Sequence, residues 1–509
     1  MKKLPIGKQD LKTLIEGDYV YVDKTPLIYR LITRGQVYFL SRPRRFGKSL
    51  TISTLKEIFL GNKELFKGLY IYDKIDWEPC PVIHIDFSEI SKKNLPLPES
   101  INLILDEIAE QYNISLKQEH YGLRFRELIR SMAQEKQMAI LIDEYDKPII
   151  DYLEKEKIPQ AIEHREILKN FYSALKSNDE NIRFLLMTGV SKFSKVSIFS
   201  ELNHLYDISI DTNYAALCGY TQDELQLYFK THINNIRKKF RETDTNQAIR
   251  EWYNGYSWDG LQFVYNPFSI LNFLSRQSFG DFWFSTGTPT FLIKLIKERN
   301  YNLTQFHRGF ETEIALFDHY EIENLELIPL LFQTGYLTIK SLDPLTGETI
   351  LDYPNYEVRK SFDNYLLSSL SETPLADNRI VLKRFVRSLQ EKDIESFIQQ
   401  LKALFKSITY PLIRNEEAYY HSIFFTLLRL LGFEIETEIL TADGRIDAVI
   451  KTSSHIFIIE FKLGTPQEAL DQIKNKEYAL KYASDIREKV LLGIGFSTEL
   501  KNIEGFLEE

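Results

Sequence analysis

Short apolar runs alternate with helical segments across residues 1–215, and this alternation constrains the fold more strongly than any other feature of the sequence. The runs cover residues 37–40, 82–86, 139–143 and 183–188. Short continuous apolar runs between helices are typical of strands that are covered on both faces, as in parallel sheets. We therefore expect an α/β fold with a parallel sheet in this part of the chain.

The composition narrows the class of protein. The chain has 509 residues, a net charge of −9 and 44% hydrophobic residues, which is typical of a folded soluble protein of about three domains. The two cysteines, Cys80 and Cys218, are too few and too far apart for a disulfide framework or a CxxC zinc site, so we expect a reducing, cytoplasmic setting. No stretch approaches about 18 uninterrupted apolar residues, and no membrane association is expected. The acidic balance excludes a surface covered in nucleic-acid-binding charge but leaves room for a local basic groove.

Changes in the pattern along the chain predict three domains. Residues 1–215 form the parallel-sheet domain, whereas residues 216–405 are mainly helical and contain a hairpin at 334–351. Helices followed by a hairpin suggest a winged-helix-like connector. Residues 406–509 begin with a helix at 416–431 and continue with a strand, a hairpin and another helix, which indicates a separate small α/β domain.

A loop of the kind that binds phosphate follows the first predicted strand. It reads Arg42-Pro43-Arg44-Arg45-Phe46-Gly47-Lys48-Ser49 and precedes a helical stretch at 50–60. N–H groups at the start of such a helix cradle phosphate, Lys48 adds a positive charge, and the Ser49 hydroxyl is a candidate Mg²⁺ ligand. Because Arg42 stands where the GxxxxGK[ST] pattern has glycine, we expect the loop to bind nucleotide differently or poorly. The candidate cofactor-binding residues are Arg45, Phe46, Gly47, Lys48, Ser49 and Leu50.

Two acidic residues end the third predicted strand and complete a candidate nucleotide site, in the manner of a Walker B segment. Asp143 is a candidate Mg²⁺ ligand, and Glu144 is a candidate catalytic residue that polarises the attacking water. The alternative is that both carboxylates only cap a buried strand. The next strand ends in residues 188–192, where a polar residue either senses the γ-phosphate or belongs to an ordinary turn. The sequence contains no NKxD motif, so ATP is expected rather than GTP.

A second candidate site lies on two strands of the last domain. If residues 452–455 form the loop between them, Lys451 pairs with Ile456 and Asp447 stands opposite Glu460. Two carboxylates this close repel each other unless a cation or a proton lies between them, which makes Asp447 and Glu460 candidate metal ligands. Lys462 shares the face of Glu460 and would orient water or stabilise phosphate charge. Asp447, Glu460 and Lys462 are the candidate catalytic residues for phosphodiester hydrolysis, and the alternative is an exposed, salt-bridged strand face.

Other polar residues have two open interpretations. Gln472, on a helix predicted at 467–482, would contact the site or nucleic acid, and Glu417 would supply another carboxylate, or both lie on solvated helix faces. Competing carboxylates are Glu416, Glu436 and Glu438, and His421 is expected to pack or to form a hydrogen bond rather than to bind metal. The basic run at 236–241 is either a nucleic-acid contact or a solvated helix face.

These motifs occur together in a known combination. With Tyr21-Val22-Asp23-Lys24-Thr25 and Tyr265-Asn266-Pro267-Phe268-Ser269, the loop and strand-end motifs resemble the bacterial AAA-ATPase-like family. Gly444-Arg445-Ile446-Asp447 and Glu460-Phe461-Lys462 resemble the PD-(D/E)XK nuclease domain usually fused to it. The resemblance covers nearly the whole chain and implies a P-loop ATPase joined to a restriction-endonuclease-like domain. It assigns Lys48, Ser49, Asp143 and Glu144 to the ATP site and Asp447, Glu460 and Lys462 to the nuclease site, and the Arg42 departure is shared by the family.

The sequence thus leads to one main functional hypothesis and two alternatives. The main hypothesis is a nuclease that depends on Mg²⁺, or alternatively Mn²⁺, acts on DNA and is controlled by ATP through the connector. The first alternative is a non-cleaving, ATP-dependent switch or nucleic-acid-binding module, and the second is a scaffold that binds nucleotide for stability alone. Nucleic acid is the expected partner, and a homo-oligomer is left open.

Overall fold

Two compact units make up the chain in the computed structural model. They are Met1–Phe291 with Phe310–Val358, and Leu292–Gly309 with Arg359–Glu509. The structure describes the chain except for residues 91–94, 193–203, 238, 241–243, 285–291, 293–294, 297–308, 315–325, 372–374, 408–422, 425, 429, 432–433, 442–443 and 498. Among the described residues, no helix combines the length and the apolar composition that crossing a bilayer requires. The three-domain division with boundaries near 215 and 405 stays a prediction.

The first unit is built around a parallel sheet with the strand order β2-β3-β4-β1-β5. Its strands are β1 (Val37–Ser41), β2 (Val82–Asp86), β3 (Met138–Asp143), β4 (Ile182–Gly189) and β5 (Tyr206–Asp207). All residues of β1 and β3 are buried, as expected for strands covered on both faces. The four predicted strands are therefore confirmed, and β5 is an addition that its two-residue length hid from the sequence pattern.

Strand register brings the carboxyl ends of the sheet to one edge. Ser41 at the end of β1 pairs with Gly189 of β4, and Asp86 of β2 pairs with Asp143 of β3. Because β4 lies between β1 and β3, the candidate phosphate-binding loop after β1 and the acidic pair at the end of β3 flank the end of β4. Ligands of open parallel sheets bind at this edge.

Helices surround this sheet and form most of the rest of the unit. They are α1 (Leu11–Glu16), α2 (Thr25–Arg34), α3 (Lys48–Phe59), α4 (Phe87–Ile90), α5 (Leu97–Gln111), α6 (Tyr121–Met132), α7 (Lys147–Ile150), α8 (Ile158–Lys176), α9 (Gln222–Tyr228), α10 (Lys230–Arg237), α11 (Thr245–Tyr253), α12 (Pro267–Arg276) and α13 (Leu327–Thr334). Buried aromatic rings, among them Tyr253, Tyr265 and Phe273, form the core of the helical region that follows the sheet.

A small antiparallel sheet completes the first unit. Its strands are β6 (Phe310–Glu313), β7 (Thr338–Leu342) and β8 (Glu348–Asp352), in the order β6-β8-β7. The predicted hairpin is confirmed as β7 and β8. The sequence pattern did not reveal β6, because three of its four residues, Glu311, Thr312 and Glu313, are polar and only Phe310 is buried. The winged-helix-like assignment of the connector stays a prediction.

The second unit contains the C-terminal sheet, in the order β13-β12-β11-β10-β9. Its elements are α14 (Tyr356–Ser371), α15 (Leu375–Gln390), α16 (Ile394–Ser407), β9 (Glu434–Thr441), β10 (Gly444–Lys451), β11 (His455–Leu463), α17 (Pro466–Asn475), β12 (Glu488–Ser497) and β13 (Asn502–Glu508), with the first residues of α14 belonging to the first unit. The α/β fold predicted for the C-terminal part is confirmed. Most of the helix predicted at 416–431 lies outside the described residues.

The helix predicted at 467–482 is shorter than expected. Helix α17 ends at Asn475, Glu477 adopts a positive φ of +48°, and a 3₁₀ turn follows over Tyr478–Tyr482. The break buries Tyr478 and Tyr482 in the apolar core beneath the sheet. A continuous helix would not place both rings in that core, so packing overrides the helical pattern of the sequence.

Candidate functional site

The loop between β1 and α3 has the backbone of an anion-binding turn. Arg45 and Gly47 have positive φ values of +70° and +99°, and α3 begins at Lys48. The left-handed region is costly for residues with a side chain, which explains a glycine at position 47, whereas Arg45 holds a strained conformation. The free N–H groups of the first turn of α3 follow directly, so this helix start is suited to bind phosphate.

The carbonyl groups of this loop are held from outside the loop or by Lys48. Lys48 Nζ donates to Arg42 O at 3.0 Å and to Pro43 O at 3.2 Å. Trp283 Nε1 donates to Arg44 O at 3.0 Å, and Asn266 Nδ2 donates to Arg45 O at 3.5 Å. The Gly219 N–H donates to Phe46 O at 3.0 Å. In a trans peptide the N–H points opposite to the carbonyl, so holding the oxygens of residues 43–46 orients the N–H groups of residues 44–47, whereas Pro43, which follows Arg42, has no N–H. The loop N–H groups are therefore preorganised. The sequence pattern identified the loop but not these partners.

Arg42 serves as an internal anchor of the fold. Its side chain is 1% exposed, and its guanidinium donates to Ser209 O at 2.6 Å and Tyr214 O at 3.4 Å. It also stacks on the ring of Trp258 at 4.0 Å, and burial lowers the pKa of Arg42 to about 10. The departure from the glycine of the common loop pattern thus has a structural reason. The expectation of altered nucleotide binding stays a prediction.

A cavity of about 520 Å³ opens beside the loop, within the size range of small-molecule sites. Its lining includes the predicted residues Arg45, Phe46, Gly47, Lys48, Ser49, Leu50 and Glu144. Segments that sequence analysis did not place here also line it, namely residues 20–22, 217–220 and 267–268. The motifs at 21–25 and 265–269 both contribute residues to the wall of this cavity, which explains why they occur together with the loop motif. Asn266 additionally caps α12 by accepting a hydrogen bond from the Ser269 N–H at 3.0 Å.

Asp143 and Glu144 lie next to each other at the end of β3, but their side chains have different environments. Asp143 is buried, and its Oδ1 accepts hydrogen bonds from the Thr188 hydroxyl and from the Glu144 N–H at 3.1 Å. Glu144 is half-buried, faces the cavity and has a positive φ of +50°. Strained residues of this kind cluster at functional sites. The Thr188 bond joins the end of β4 to the candidate metal ligand Asp143. The assignment of residues 188–192 to γ-phosphate sensing or to an ordinary turn stays a prediction.

Asp146 is a residue of this region that sequence analysis missed. Its buried carboxylate accepts hydrogen bonds from the Val190 N–H at 3.0 Å, the Ser191 N–H at 2.7 Å and the Ser191 hydroxyl at 2.6 Å. Burial raises the pKa of Asp146. The carboxylate fixes the segment after β3 to the segment after β4. The signal was the second aspartate of Asp143-Glu144-Tyr145-Asp146, three residues after the first.

Asp86 is another missed carboxylate at the same edge of the sheet. It ends β2, pairs in register with Asp143 and lines the cavity. Burial raises the pKa of Asp86, and the charge of Asp143 acts in the same direction. Its position at the end of a buried strand, like that of Asp143, was the available signal.

The second site lies on β10 and β11 with the predicted register. Lys451 pairs with Ile456 and Ala448 with Ile459, which places Asp447 and Glu460 opposite each other. Their exposures are 7% and 1%. Asp447 N donates to Glu460 Oε2 at 3.4 Å. The alternative of an exposed strand face is therefore wrong, because both carboxylates are buried.

Two polar side chains converge on Glu460. Lys462 Nζ lies 3.9 Å from Glu460 Oε1, and Gln472 of α17 donates a hydrogen bond to the same oxygen. Helix α17 is fixed by a capping box between Thr465 and Glu468. It also packs closely on β12, where a Cβ at Gly493 would lie 2.6 Å from the Leu470 N atom. The capping box and the close packing on β12 thus position Gln472 at the site. The solvated-face alternative is wrong for this residue.

The donor set of this site fits a divalent cation. Two buried carboxylates side by side require a cation or a proton, and carboxylate oxygens are the ligands that Mg²⁺ and Mn²⁺ prefer. Within the described part of the chain, no group of three or more His, Cys, Asp or Glu side chains converges. On β9, Thr437 pairs with Ala448 and Ile439 with Ile446, so Glu438 has the register position of Asp447. Glu416, Glu417 and His421 lie outside the described residues.

The basic run at 236–241 is only partly described. Helix α10 ends at Arg237, where the side chain is exposed, and Ile236 is buried in the helical core. Lys238 and Arg241 lie outside the described residues. Both interpretations of this run stay open.

Two family models match separate regions of the chain. Residues 5–199 match the family described as predicted AAA-ATPase, and residues 415–505 match the PD-(D/E)XK nuclease superfamily. A protein of Azotobacter chroococcum mcd 1, named "Uncharacterized protein in vnfD 5'region", is 39% identical over 523 residues, which cover 100% of this chain and 99% of the relative. The crystal structure of Cdc6p from Pyrobaculum aerophilum aligns with 72% of this chain and 96% of its own at 13% identity and a TM-score of 0.25.

Proposed function

Because the chain belongs to the family of predicted AAA-ATPases that also carry a PD-(D/E)XK nuclease region, we propose that it binds and hydrolyses ATP and that ATP controls Mg²⁺-dependent cleavage of DNA. The observation that carries the proposal is the pair of buried, adjacent carboxylates Asp447 and Glu460 with the Lys462 ammonium beside them. Burying two like charges together is costly unless a cation offsets them. Such a pair therefore supports a metal-dependent function.

The first site supports ATP binding and hydrolysis. The oriented N–H groups of the loop and the start of α3 would receive the phosphates, and the Lys48 ammonium would exchange its carbonyl partners for phosphate oxygens. Ser49 and Asp143 would hold the Mg²⁺ that accompanies the nucleotide. Glu144 faces the cavity and would polarise the attacking water.

The second site supports phosphodiester hydrolysis. Asp447 and Glu460 would hold a divalent ion, which would supply Lewis acidity and a more acidic water. The Lys462 ammonium would stabilise the negative charge that develops on the phosphate. Gln472 keeps the Glu460 carboxylate in its orientation through a hydrogen bond. Manganese is an alternative ion, since the same oxygen ligands suit both metals.

A second candidate function is a nucleic-acid-binding module that does not cleave and is switched by ATP. It is favoured by one observation, namely that the Gln472 amide and the Lys462 ammonium both lie against Glu460 Oε1, where they can offset the charge of this carboxylate. The free cysteines Cys80 and Cys218 support the cytoplasmic setting under either function, because neither forms a disulfide.

ATP control is tested by measuring cleavage of labelled duplex and single-stranded DNA, with RNA in parallel, with and without ATP. Wild type and Lys48→Ala are compared with Mg²⁺ present throughout. We expect ATP to change the cleavage rate of the wild type and to leave the rate of Lys48→Ala unchanged. Equal effects of ATP on both proteins would contradict control through this site. RNA cleavage without DNA cleavage would contradict the choice of substrate.

A further inference from the structure

Trp283 contacts the phosphate-binding loop without lining the cavity. Its indole Nε1 donates to Arg44 O at 3.0 Å across 239 residues of sequence. The ring is buried and lies near the rings of Tyr256 and Tyr336, with centroid distances of 6.2 Å and 5.3 Å. These aromatic neighbours restrict the orientation of the indole ring, so its N–H points toward the loop.

This hydrogen bond orients a group that faces the nucleotide site. The peptide between Arg44 and Arg45 is trans, so the Arg45 N–H points opposite to the carbonyl that Trp283 holds. Arg45 has a positive φ, which costs energy for a residue with a side chain and requires support from its surroundings. Trp283 provides part of that support. It is therefore a positioning residue for the loop.

The backbone of Trp283 is itself held by α14. Its N–H donates to Glu357 Oε1 at 2.6 Å, and Glu357 is 1% exposed in the first turn of this helix. The neighbouring Tyr356 packs edge-on against Trp252 with a centroid distance of 4.7 Å. Trp283 thus joins the start of α14 to the loop, with its backbone N–H on Glu357 and its indole N–H on Arg44 O.

Helix α14 runs from Tyr356 to Ser371, and the chain passes from the first compact unit to the second after Val358. A hydrogen-bonded helix transmits a displacement of its first turn along its length, because each turn is bonded to the next. We propose that Trp283 and Glu357 couple the phosphate-binding loop to α14, so that binding of ATP alters the stability of this helix. The proposal rests on ATP binding at the first site and names the route of its regulation.

Hydrogen–deuterium exchange of residues 356–371 tests this coupling independently of nuclease activity. The full-length wild type is compared with Trp283→Phe, with and without saturating ATP, after the ATP affinity of each protein has been measured. Phenylalanine keeps an aromatic ring and removes the N–H. We expect ATP to change exchange in α14 of the wild type and to leave α14 of Trp283→Phe unchanged. The affinity of the variant for ATP should fall by about 2- to 10-fold, as for the loss of one neutral hydrogen bond.

Trp77→Phe is the matched control. Trp77 Nε1 also donates to a backbone carbonyl, that of Tyr72 at 2.9 Å, but in a segment that does not line the cavity. This control should retain the response of α14 and the wild-type affinity for ATP. Loss of the response in the control as well would contradict a specific role for Trp283.

Two substitutions at Glu357 give a second, independent readout. Glu357→Gln keeps an oxygen that accepts the Trp283 N–H and should retain the response of α14, whereas Glu357→Ala removes it and should lose the response. A wild-type response in Trp283→Phe or in Glu357→Ala, with ATP bound, would overturn the coupling and leave the proposed function intact. Absence of ATP binding by the wild type would overturn both.

Discussion

Asp447 and Glu460 face each other across adjacent strands, with the Asp447 N–H donating to Glu460 Oε2 at 3.4 Å. Both side chains are buried, and their opposed register positions lie on one face of the C-terminal sheet. Charges held this close in a medium of low polarity repel each other strongly. A divalent cation between them would convert this repulsion into a binding site.

Metal binding should stabilise the wild type through this pair. In the absence of nucleotide, we expect Mn²⁺ or Mg²⁺ at 100 times its dissociation constant to raise the free energy of unfolding by about 2.7 kcal/mol. Glu460→Gln should lose this effect, because it removes one of the two charged ligands. Thermal unfolding with increasing metal concentration measures both. Asp143→Asn serves as the control and should respond like the wild type, and equal stabilisation of Glu460→Gln would contradict the metal site.

The Lys48 ammonium should contribute a charged hydrogen bond to the nucleotide phosphates. A hydrogen bond to a charged group contributes about 1.5–3 kcal/mol, so Lys48→Ala should weaken ATP binding by roughly 10- to 100-fold. Isothermal titration calorimetry measures the affinity. Lys56→Ala on the same helix is the control, since Lys56 does not line the cavity. An unchanged affinity in Lys48→Ala would place the nucleotide elsewhere.

Restoring the glycine of the common loop pattern should damage the protein rather than improve it. Arg42→Gly removes a buried guanidinium and leaves the Ser209 and Tyr214 carbonyls without their donor. We expect the free energy of unfolding to fall by about 3 kcal/mol or more, with no gain in ATP affinity. Arg44→Gly, at an exposed position of the same loop, controls for the added backbone freedom and should cost about 1 kcal/mol. Denaturant unfolding compares them, and equal stability of the two variants would refute the anchoring role.

Glu357 should make stability depend on pH in a defined window. Burial raises the pKa of Glu357 from 4.5 to about 7, and the nearby charge of Asp281 acts in the same direction. Between these values the folded protein binds more protons at Glu357 than the unfolded chain does, so its contribution to stability is lost as the pH rises from about 4.5 to 7. The free energy of unfolding of the wild type relative to Glu357→Gln should fall by up to about 1 kcal/mol per pH unit. If the difference in free energy of unfolding between the two proteins stayed constant over this pH range, the pKa of Glu357 would not be raised in the folded protein.

Local features of the sequence predicted a large part of the fold and of both sites. Apolar runs identified the four strands because buried parallel strands need apolar residues on both faces. The hairpin loop at 452–455 predicted the pairing of Lys451 with Ile456, and the two-residue period then placed Asp447 opposite Glu460.

Features that depend on distant partners could not be predicted in this way. The donors to the loop carbonyls, Trp283 and Asn266, lie 239 and 221 residues from their acceptors. No period or local motif encodes a contact over such distances. The end of α17 at Asn475 likewise depends on burial of Tyr478 and Tyr482, which is decided by tertiary packing rather than by helical propensity.

The most direct test of the central claim is the rate of DNA cleavage by the wild type and by Glu460→Gln with Mg²⁺ and ATP, at equal folded fractions and equal ATP occupancy. The substitution keeps the size of the side chain and removes its charge, so the ATP site is left intact. We predict cleavage by the wild type and a loss of at least about 100-fold in the variant, in line with removal of an electrostatic group from an active site. Equal rates for the two proteins, or no cleavage by the wild type, would contradict the claim that the C-terminal sheet carries a nuclease site.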